Sequence, residues 1–308
     1  MTLQQLEYIV ALDTHRHFLR AAEACNVSQP TLSSLVQKLE EELDVCIFDR
    51  CSKPIAPTAI GQQIINQARV TLFHAKSLKQ LVLSEREQNS GRLHLGIIPT
   101  VAPYILPKLF KEMHRRFPQI DLYVSEMHTS VIVEELRKAK IDMALLATPL
   151  NQSDLLEIPL YYEQFIAYIS STEALYDQEM VDAEQLPADR LWVLKEGHCM
   201  RGQIFNFCHN EASYSRVYEA GSIDTLVNIV DENGGCTIIP ELHTPLLTEE
   251  QCKHIRLLKS PAPVREISIV VRHDFVRERI INSLVDSIKS VIPDTMLDKR
   301  LKKYAVRL

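Results

Sequence analysis

The sequence predicts an all-α N-terminal region followed by a larger α/β region. Three observations support this fold class. Short stripes of apolar residues at helical spacing fill the first sixty positions, and a proline-free stretch at 58–89 continues that spacing. After Gly91 the pattern changes to apolar strands alternating with helices, which predicts a mainly parallel sheet with helices on its faces. The 308 residues are enough for two or three compact units.

The N-terminal region predicts two helices joined by a tight turn. Phe18, Ala21, Ala22 and Cys25 form one apolar stripe, and Ser28 is a suitable N-cap for the next helix, with Pro30 in its first turn. The polar face of that second helix carries short hydrogen-bonding groups, namely Gln29, Thr31, Ser33, Ser34 and Gln37. A second helix that exposes such groups is typical of a helix-turn-helix, which reads base edges and phosphates in the DNA major groove. Ser28 and Pro30 at the start of this helix are also predicted DNA contacts.

A two-stranded wing and a long helix follow. Residues 45–50 and 55–58 are predicted strands around a turn at 52–54, and Arg50 and Lys53 in this wing are candidate phosphate contacts. The helix from 58 to about 89 would be roughly 45 Å long. Its single apolar stripe favours packing against a second copy, hence a dimer.

The predicted domains are therefore a winged helix-turn-helix at 1–58, a linker (dimerisation) helix at 59–90 and an α/β regulatory domain at 91–308. In the regulatory domain, lobe I spans about 91–161 and 268–300, and lobe II about 162–267. Two lobes joined by crossing strands would enclose a cleft, and a last helix at 276–291 would return to lobe I.

Composition excludes several classes of protein. No apolar run is long enough to span a membrane, and no secretory signal is evident, so we expect a cytoplasmic protein. Neither glycine-rich phosphate loops nor metal-binding histidine spacings occur, so we expect no cofactor and no metal. Residues 1–65 hold five basic and eight acidic side chains, so a single head should bind DNA weakly and depend on multiple copies.

The seven cysteines are odd in number and irregularly spaced, which argues against a disulfide framework. Cys199 follows a predicted strand and turn and begins a predicted helix, where backbone N–H groups stabilise an anion. Lys195, His198 and Arg201 would add positive potential. We therefore expect a lowered pKa and a reactive thiolate; the alternative is a small buried core residue.

Other candidate groups should line the same cleft. Thr100 and Thr129 each follow a strand and precede a helix, where they would either hold a small ligand such as peroxide over Cys199 or cap those helices. His198 should face the cleft, and Arg265 could place a charge near the thiolate.

Several motifs resemble those of LysR-type regulators: Leu6-Glu7-Tyr8, Phe18 to Ala22, Val27 to Ser33, Leu39-Glu40, Phe48-Asp49-Arg50 and Thr58 to Gly61. The resemblance covers essentially the whole chain. It implies a periplasmic-binding-protein-like regulatory domain, double-stranded DNA and RNA polymerase as partners, and a homodimer or homotetramer. Cys46 and Cys51 in the wing, and Leu19 at an often basic position, depart from the pattern.

Two further segments are similar to the redox centre of the peroxide-sensing members of that family. These segments are Gly197 to Arg201 and Phe207-Cys208. The similarity implies that hydrogen peroxide oxidises Cys199, that Cys208 then forms a disulfide with it, and that antioxidant genes are activated. Cys208 lies nine residues further on, roughly 13 Å along a continuous helix. A disulfide requires Cα atoms within about 7 Å, so oxidation would have to unwind this segment.

Two alternatives remain open. The chain could be a regulator of this family that responds to a small organic ligand and has structural cysteines. It could also be a thiol peroxidase, although the DNA-binding motif favours a regulator and not an enzyme. Cys25 and Cys236 are expected to be structural, and the roles of Cys46, Cys51 and Cys252 are open.

Overall fold

The computed structural model describes residues 1–85, 91–208, 221–275 and 278–306. The chain forms two compact units, Met1–Gln88 together with Arg137–Lys140, and Asn89–Leu136 together with Ile141–Leu308. The predicted end of the linker helix at 86–90 and the predicted start of the last helix at 276–277 lie outside the described residues. Within the described residues, no helix is both long and apolar enough to cross a membrane.

The first unit is a winged helix-turn-helix followed by a long helix. Its elements are α1 (Leu3–His15), α2 (Phe18–Ala24), α3 (Gln29–Leu43), β1 (Phe48–Asp49), β2 (Ala56–Pro57) and α4 (Ala59–Glu85). Ser28 caps α3 as the sequence predicts, and its Oγ accepts a hydrogen bond from the Thr31 N–H at 3.3 Å. Apolar side chains from α1, α3, the wing and α4 share one core that includes Ile9, Leu32, Leu39, Ile47 and Ile65.

The wing strands are shorter than predicted. Only Phe48 and Asp49 pair with Pro57 and Ala56, in an antiparallel arrangement. The preceding N–H of Ile47 instead donates to the carboxylate Oε1 of Glu40 at 2.8 Å, so this part of the chain is held by α3.

The second unit alternates strands and helices. Its strands are β3 (Gly91–Ile97), β4 (Ile120–Glu126), β5 (Met143–Thr148), β6 (Leu155–Ile169), β7 (Met180–Val181), β8 (Leu191–Trp192), β9 (Cys236–Pro240), β10 (Ile255–Leu258) and β11 (Val264–Arg272). Its helices are α5 (Ala102–Arg116), α6 (Thr129–Arg137), α7 (Cys199–Cys208), α8 (Ile223–Asn233), α9 (Glu249–Cys252) and α10 (Glu278–Lys289).

The sheet is mixed, whereas the strand and helix alternation predicts a parallel one. β3 pairs parallel with β4 and β5, but β11 returns antiparallel between β5 and β6. The strands β9 and β10 then flank the far end of β6. The two long strands β6 and β11 therefore cross from one lobe to the other, and α10 packs back against α5 in the first lobe, as predicted.

Candidate redox centre

The turn before α7 places Cys199 at the first position of the helix. Gly197 adopts a left-handed φ of +99°, and a Cβ there would lie 3.8 Å from the His128 ring. The N–H of Arg201 donates to the carbonyl of His198, which starts the first turn of the helix. Cys199 is half-buried and its thiol faces the N–H groups of α7.

The pKa of the Cys199 thiol is raised from its usual value, which corrects the prediction of a lowered pKa. Burial raises it, because the thiolate loses contact with water. The positive charge of Arg265, the Thr129 hydroxyl and the backbone N–H groups of Met200 and Cys199 all act in the opposite direction. The helix begins at Cys199 as predicted, but the cost of desolvating the thiolate outweighs the stabilisation by the helix N-terminus.

Arg265 is completely buried and has a precise set of partners. Its Nη1 donates to Thr100 Oγ1 at 3.0 Å and its Nη2 to the Thr100 carbonyl at 2.8 Å. Its Nε donates to Glu163 Oε2 at 2.8 Å. The hydroxyl of Thr100 thus binds the guanidinium, and α5 begins after Val101 without a side-chain cap, so capping does not explain Thr100.

His198 is neutral, contrary to the predicted positive potential at this position. Burial, and then electrostatic interactions with His128 and Lys195, lower the pKa of His198 to about 4. The His198 and His128 rings meet edge to face, with their centroids 4.5 Å apart. Since His128 directly precedes Thr129 at the start of α6, this contact joins the first lobe to the turn before Cys199.

Three buried polar atoms of this region are Thr129 Oγ1, His198 Nε2 and His128 Nδ1. Apart from the interaction of the Thr129 hydroxyl with the Cys199 thiol, they have no hydrogen-bond partner within the described part of the chain. Buried polar groups are almost always satisfied by protein or by a small bound molecule. A hydroxyl and two imidazole nitrogens offer both donors and acceptors. Together they suit a small hydrogen-bonding ligand beside the thiol.

The other end of α7 has a different character. Cys208 is buried, and burial raises the pKa of its thiol to about 12. α7 is continuous from Cys199 to Cys208, so its ends lie roughly 13 Å apart along the axis. All seven cysteines are free thiols. Arg201, which was predicted to act on the thiolate, lies with its guanidinium 5.4 Å from the centre of the Phe205 ring.

The remaining cysteines are distributed over both units. Cys25 ends α2 beside the core, and Cys236 is buried in β9. Cys46 and Cys51 are exposed in the wing, and Cys252 is half-buried.

The predicted DNA-contacting residues share one feature, exposure at the surface of the first unit. Those that are exposed are Ser28, Gln29, Pro30, Thr31, Ser34, Gln37, Arg50 and Lys53, and Ser33 is half-buried. Arg50 forms an ion pair with Glu40, with 2.8 Å between Nη2 and Oε2. This pair directs the guanidinium toward α3 and reduces the positive charge of the wing.

Two residues of the centre were not identified from the sequence. Glu163 lies inside an apolar strand, and a fully buried carboxylate is rare unless it is paired, so its position was a usable signal. His128 gave no signal beyond its place directly before Thr129. The structure brings Thr100, Thr129, His198 and Arg265 around Cys199, while Cys208 stays at the far end of α7.

Comparisons with known proteins cover both units. Residues 3–62 match the bacterial regulatory helix-turn-helix protein, lysR family, and residues 86–293 match the LysR substrate binding domain. A hydrogen peroxide-inducible genes activator of Pectobacterium carotovorum is 37% identical over 88% of this chain and 90% of its own length. The DNA-binding transcriptional dual regulator OxyR of Escherichia coli K12 is 35% identical over 98% of this chain and 99% of its own length.

Solved structures agree with these sequence matches. Full-length OxyR from Pseudomonas aeruginosa, a cysteine-to-aspartate variant, superposes with a TM-score of 0.82 at 34% identity, covering 94% of this chain and 98% of that one. An H2O2-bound cysteine-to-serine mutant of Corynebacterium glutamicum OxyR gives a TM-score of 0.63 at 28% identity, covering 94% and 92% of the two chains. The chain therefore belongs to the LysR family of bacterial transcription regulators, among its OxyR-like members.

Proposed function

We propose that this chain is a peroxide-sensing transcription regulator in which hydrogen peroxide oxidises Cys199 and the oxidised protein activates antioxidant genes. The observation that carries the proposal is the set of groups around Cys199. A thiol at a helix N-terminus interacts with a buried guanidinium and with the Thr129 hydroxyl, and two neighbouring imidazole rings each have a nitrogen without a partner in the described residues. The names of the relatives, hydrogen peroxide-inducible genes activator and OxyR, support the same chemistry.

The first step is attack of the Cys199 thiolate on one oxygen of hydrogen peroxide. An S–O bond forms, the O–O bond breaks, and hydroxide leaves, so that sulfur is oxidised to a sulfenic acid. Thr129 and His198 would hold the peroxide, and Thr100 would act from beside them through Arg265. Arg265 stabilises the thiolate electrostatically.

The second step is capture of the sulfenic acid by Cys208. The Cys208 sulfur displaces the hydroxyl group from the Cys199 sulfur, a disulfide forms, and water is released. The two residues are at opposite ends of α7, so the bond cannot form while the helix is intact. Oxidation must unwind α7, and that local change would be the signal to the rest of the regulatory domain, residues 91–308.

The output would be a change in how the DNA-binding heads are spaced. α3 of the winged helix-turn-helix (1–58) would enter the major groove, with Lys53 and Arg50 of the wing near phosphates. The linker helix (59–90) would pair two copies, and two dimers would form a tetramer that binds promoter DNA in the cytoplasm. RNA polymerase would be the partner that responds to the new arrangement.

Peptide mapping after treatment with stoichiometric hydrogen peroxide tests the redox step. Free thiols are alkylated after the protein is denatured. We expect one intramolecular Cys199–Cys208 disulfide. Cys236, which is buried in the same unit, should stay a free thiol and be alkylated. A protein that still activates transcription in response to peroxide while Cys199 stays fully alkylatable would exclude the proposal. If a small organic ligand activated transcription equally well in the unaltered protein and in Cys199→Ser, the chain would instead be a regulator of that ligand.

Binding to promoter DNA at several salt concentrations tests the head. Lys53→Ala should weaken binding uniformly across sequences and reduce the slope of log K against log salt by about 1 per head. Gln37→Ala, on the exposed face of α3, should alter sequence preference and leave that slope unchanged. If both variants bind as the unaltered protein does, the assignment of α3 and the wing is wrong.

A further inference from the structure

A buried carboxylate completes the redox centre without touching its thiol. Glu163 on β6 lies directly opposite Arg265 on β11 in the antiparallel register. Both side chains are fully buried. Glu163 Oε2 accepts from Arg265 Nε, and it lies 2.7 Å from Nη2. Glu163 Oε1 accepts from the Leu242 N–H at 2.9 Å. Each oxygen of the Glu163 carboxylate therefore accepts a hydrogen bond.

The guanidinium of Arg265 therefore interacts with two acidic groups, and its positive charge stabilises the anionic form of both. It is the cation that favours the Cys199 thiolate, and it is also the counter-ion of the Glu163 carboxylate. In a buried site two opposite charges cancel much of each other's field at a third group. The carboxylate raises the pKa of Arg265 against the effect of burial, so the guanidinium keeps its charge.

Among the surrounding titratable groups of the described residues, Arg265 is the charged side chain that acts on the Cys199 thiol, and Glu163 is the carboxylate paired with it. The side chains that interact with the pair or with the turn before Cys199 are Tyr104, Tyr161, Glu241, His128, His198 and Lys195. Burial raises the pKa of Tyr104 and Tyr161, so both are neutral, and His198 is neutral as well. Burial and Glu163 raise the pKa of Glu241.

We propose that Glu163 tunes the peroxide reactivity of Cys199 by neutralising part of the charge of Arg265. Glu163 is a positioning residue that acts through Arg265. It sets the concentration of hydrogen peroxide that is needed to oxidise Cys199. This inference rests on the proposed function for its biological meaning. Thr100 still holds both terminal nitrogens of Arg265 when the carboxylate is neutralised, so the guanidinium would stay in place.

The test is the rate of Cys199 alkylation by iodoacetamide as a function of pH in Glu163→Gln. We expect the pKa of the Cys199 thiol to fall by about one pH unit, since a nearby charge shifts a pKa by 1–3. Below that pKa, the rate constant with peroxide should rise about tenfold. Loosening of the fold would also lower the pKa of Cys199, because burial is what raises it. The alkylation rates of the buried thiols Cys208 and Cys236 in the folded variant distinguish the two causes: loosening would raise them, and we expect them to be unchanged.

The chain offers a matched control on the adjacent residue of β11. Glu266 is also buried, but its carboxylate accepts from Thr148 and Tyr162. Adjacent residues of a strand face opposite sides of the sheet, so Glu266→Gln should leave the pKa of Cys199 unchanged. If Glu163→Gln does not fold, Glu163→Asp withdraws the carboxylate by one methylene and should shift the pKa in the same direction by less.

An unchanged or raised pKa of Cys199 in folded Glu163→Gln, or in Glu163→Asp where that variant is used, overturns the inference. An equal shift in Glu266→Gln overturns it as well. Iodoacetamide alkylation does not depend on peroxide chemistry. If Cys199 of the unaltered protein did not react with hydrogen peroxide, the proposed function would fail, while the comparison of thiol pKa values would still decide the role of Glu163.

Discussion

The two ends of α7 carry the same functional group in opposite surroundings. At the N-terminal end, Cys199 meets backbone N–H groups, the Thr129 hydroxyl and the charge of Arg265. At the C-terminal end, Cys208 is buried, and burial raises the pKa of its thiol to about 12. Both thiols are partly or fully withdrawn from water, so burial alone does not separate them. The two thiols differ because Cys199 interacts with groups that stabilise a thiolate.

This difference indicates a division of labour along one helix. Among the residues that the structure describes, groups that can bind and polarise peroxide lie at the Cys199 end, so oxidation should begin there. A thiol with a pKa of about 12 is almost entirely protonated at neutral pH, so in the proposed mechanism Cys208 would become reactive only when α7 unwinds. Activation of Cys208 and disruption of the helix should therefore be one event.

The largest expected effect is the loss of one thiol. Cys199→Ser should abolish oxidation by stoichiometric peroxide, because burial raises the pKa of Cys208 to about 12 and keeps this thiol protonated. Cys208→Ser should still form a sulfenic acid on Cys199, detectable by mass spectrometry with a dimedone trap. Rapid oxidation of Cys208 in Cys199→Ser would contradict the proposed difference in peroxide reactivity between the two ends of α7.

Arg265→Met should have the next largest effect. It removes the cation near Cys199 and leaves the Glu163 carboxylate buried and unpaired, which should cost about 3–5 kcal/mol in the free energy of unfolding. Adding Glu163→Gln should restore part of that stability, measured by urea unfolding. The rate of Cys199 oxidation should stay low in both variants, because neither has the cation.

The neutral state of His198 predicts a pH dependence of stability. The pKa of His198 is about 4 in the folded protein and 6.5 in the unfolded chain, so the unfolded chain binds more protons between these values. The His198 contribution is absent above about pH 6.5, and it lowers stability by up to about 3 kcal/mol as pH falls toward 4. His198→Gln should remove that part of the acid sensitivity in urea unfolding at stepped pH. An identical pH profile in the two proteins would mean that His198 is not buried as described.

Thr129→Val should have the smallest effect of the four. The change keeps the shape of the side chain and removes one hydroxyl, so about 1–2 kcal/mol of transition-state stabilisation should be lost. The rate constant of Cys199 oxidation should fall roughly tenfold. Alkylation of Cys208 in the folded protein should not change, since Thr129 has no role at that end of α7.

The sequence was informative where local patterns decide the structure. The Ser28 cap, the Pro30 turn and the start of a helix at Cys199 follow from residue types over a few positions. The sequence could not show that desolvation outweighs the helix N-terminus at Cys199, or that His198 is neutral, because both depend on packing between distant segments. Glu163 and Arg265 are 102 residues apart, and only the antiparallel pairing of β6 with β11 brings them together.

Hydrogen exchange of the α7 amides, measured in the reduced protein and after one equivalent of hydrogen peroxide, tests the central claim most directly. We expect the amides of 203–208, which hydrogen-bond within α7, to be protected in the reduced protein and to exchange rapidly once the Cys199–Cys208 disulfide has formed, while the amides of β6 and β11 keep their protection. A disulfide between these two cysteines with α7 still protected would contradict that claim, because the bond would then have formed across an intact helix.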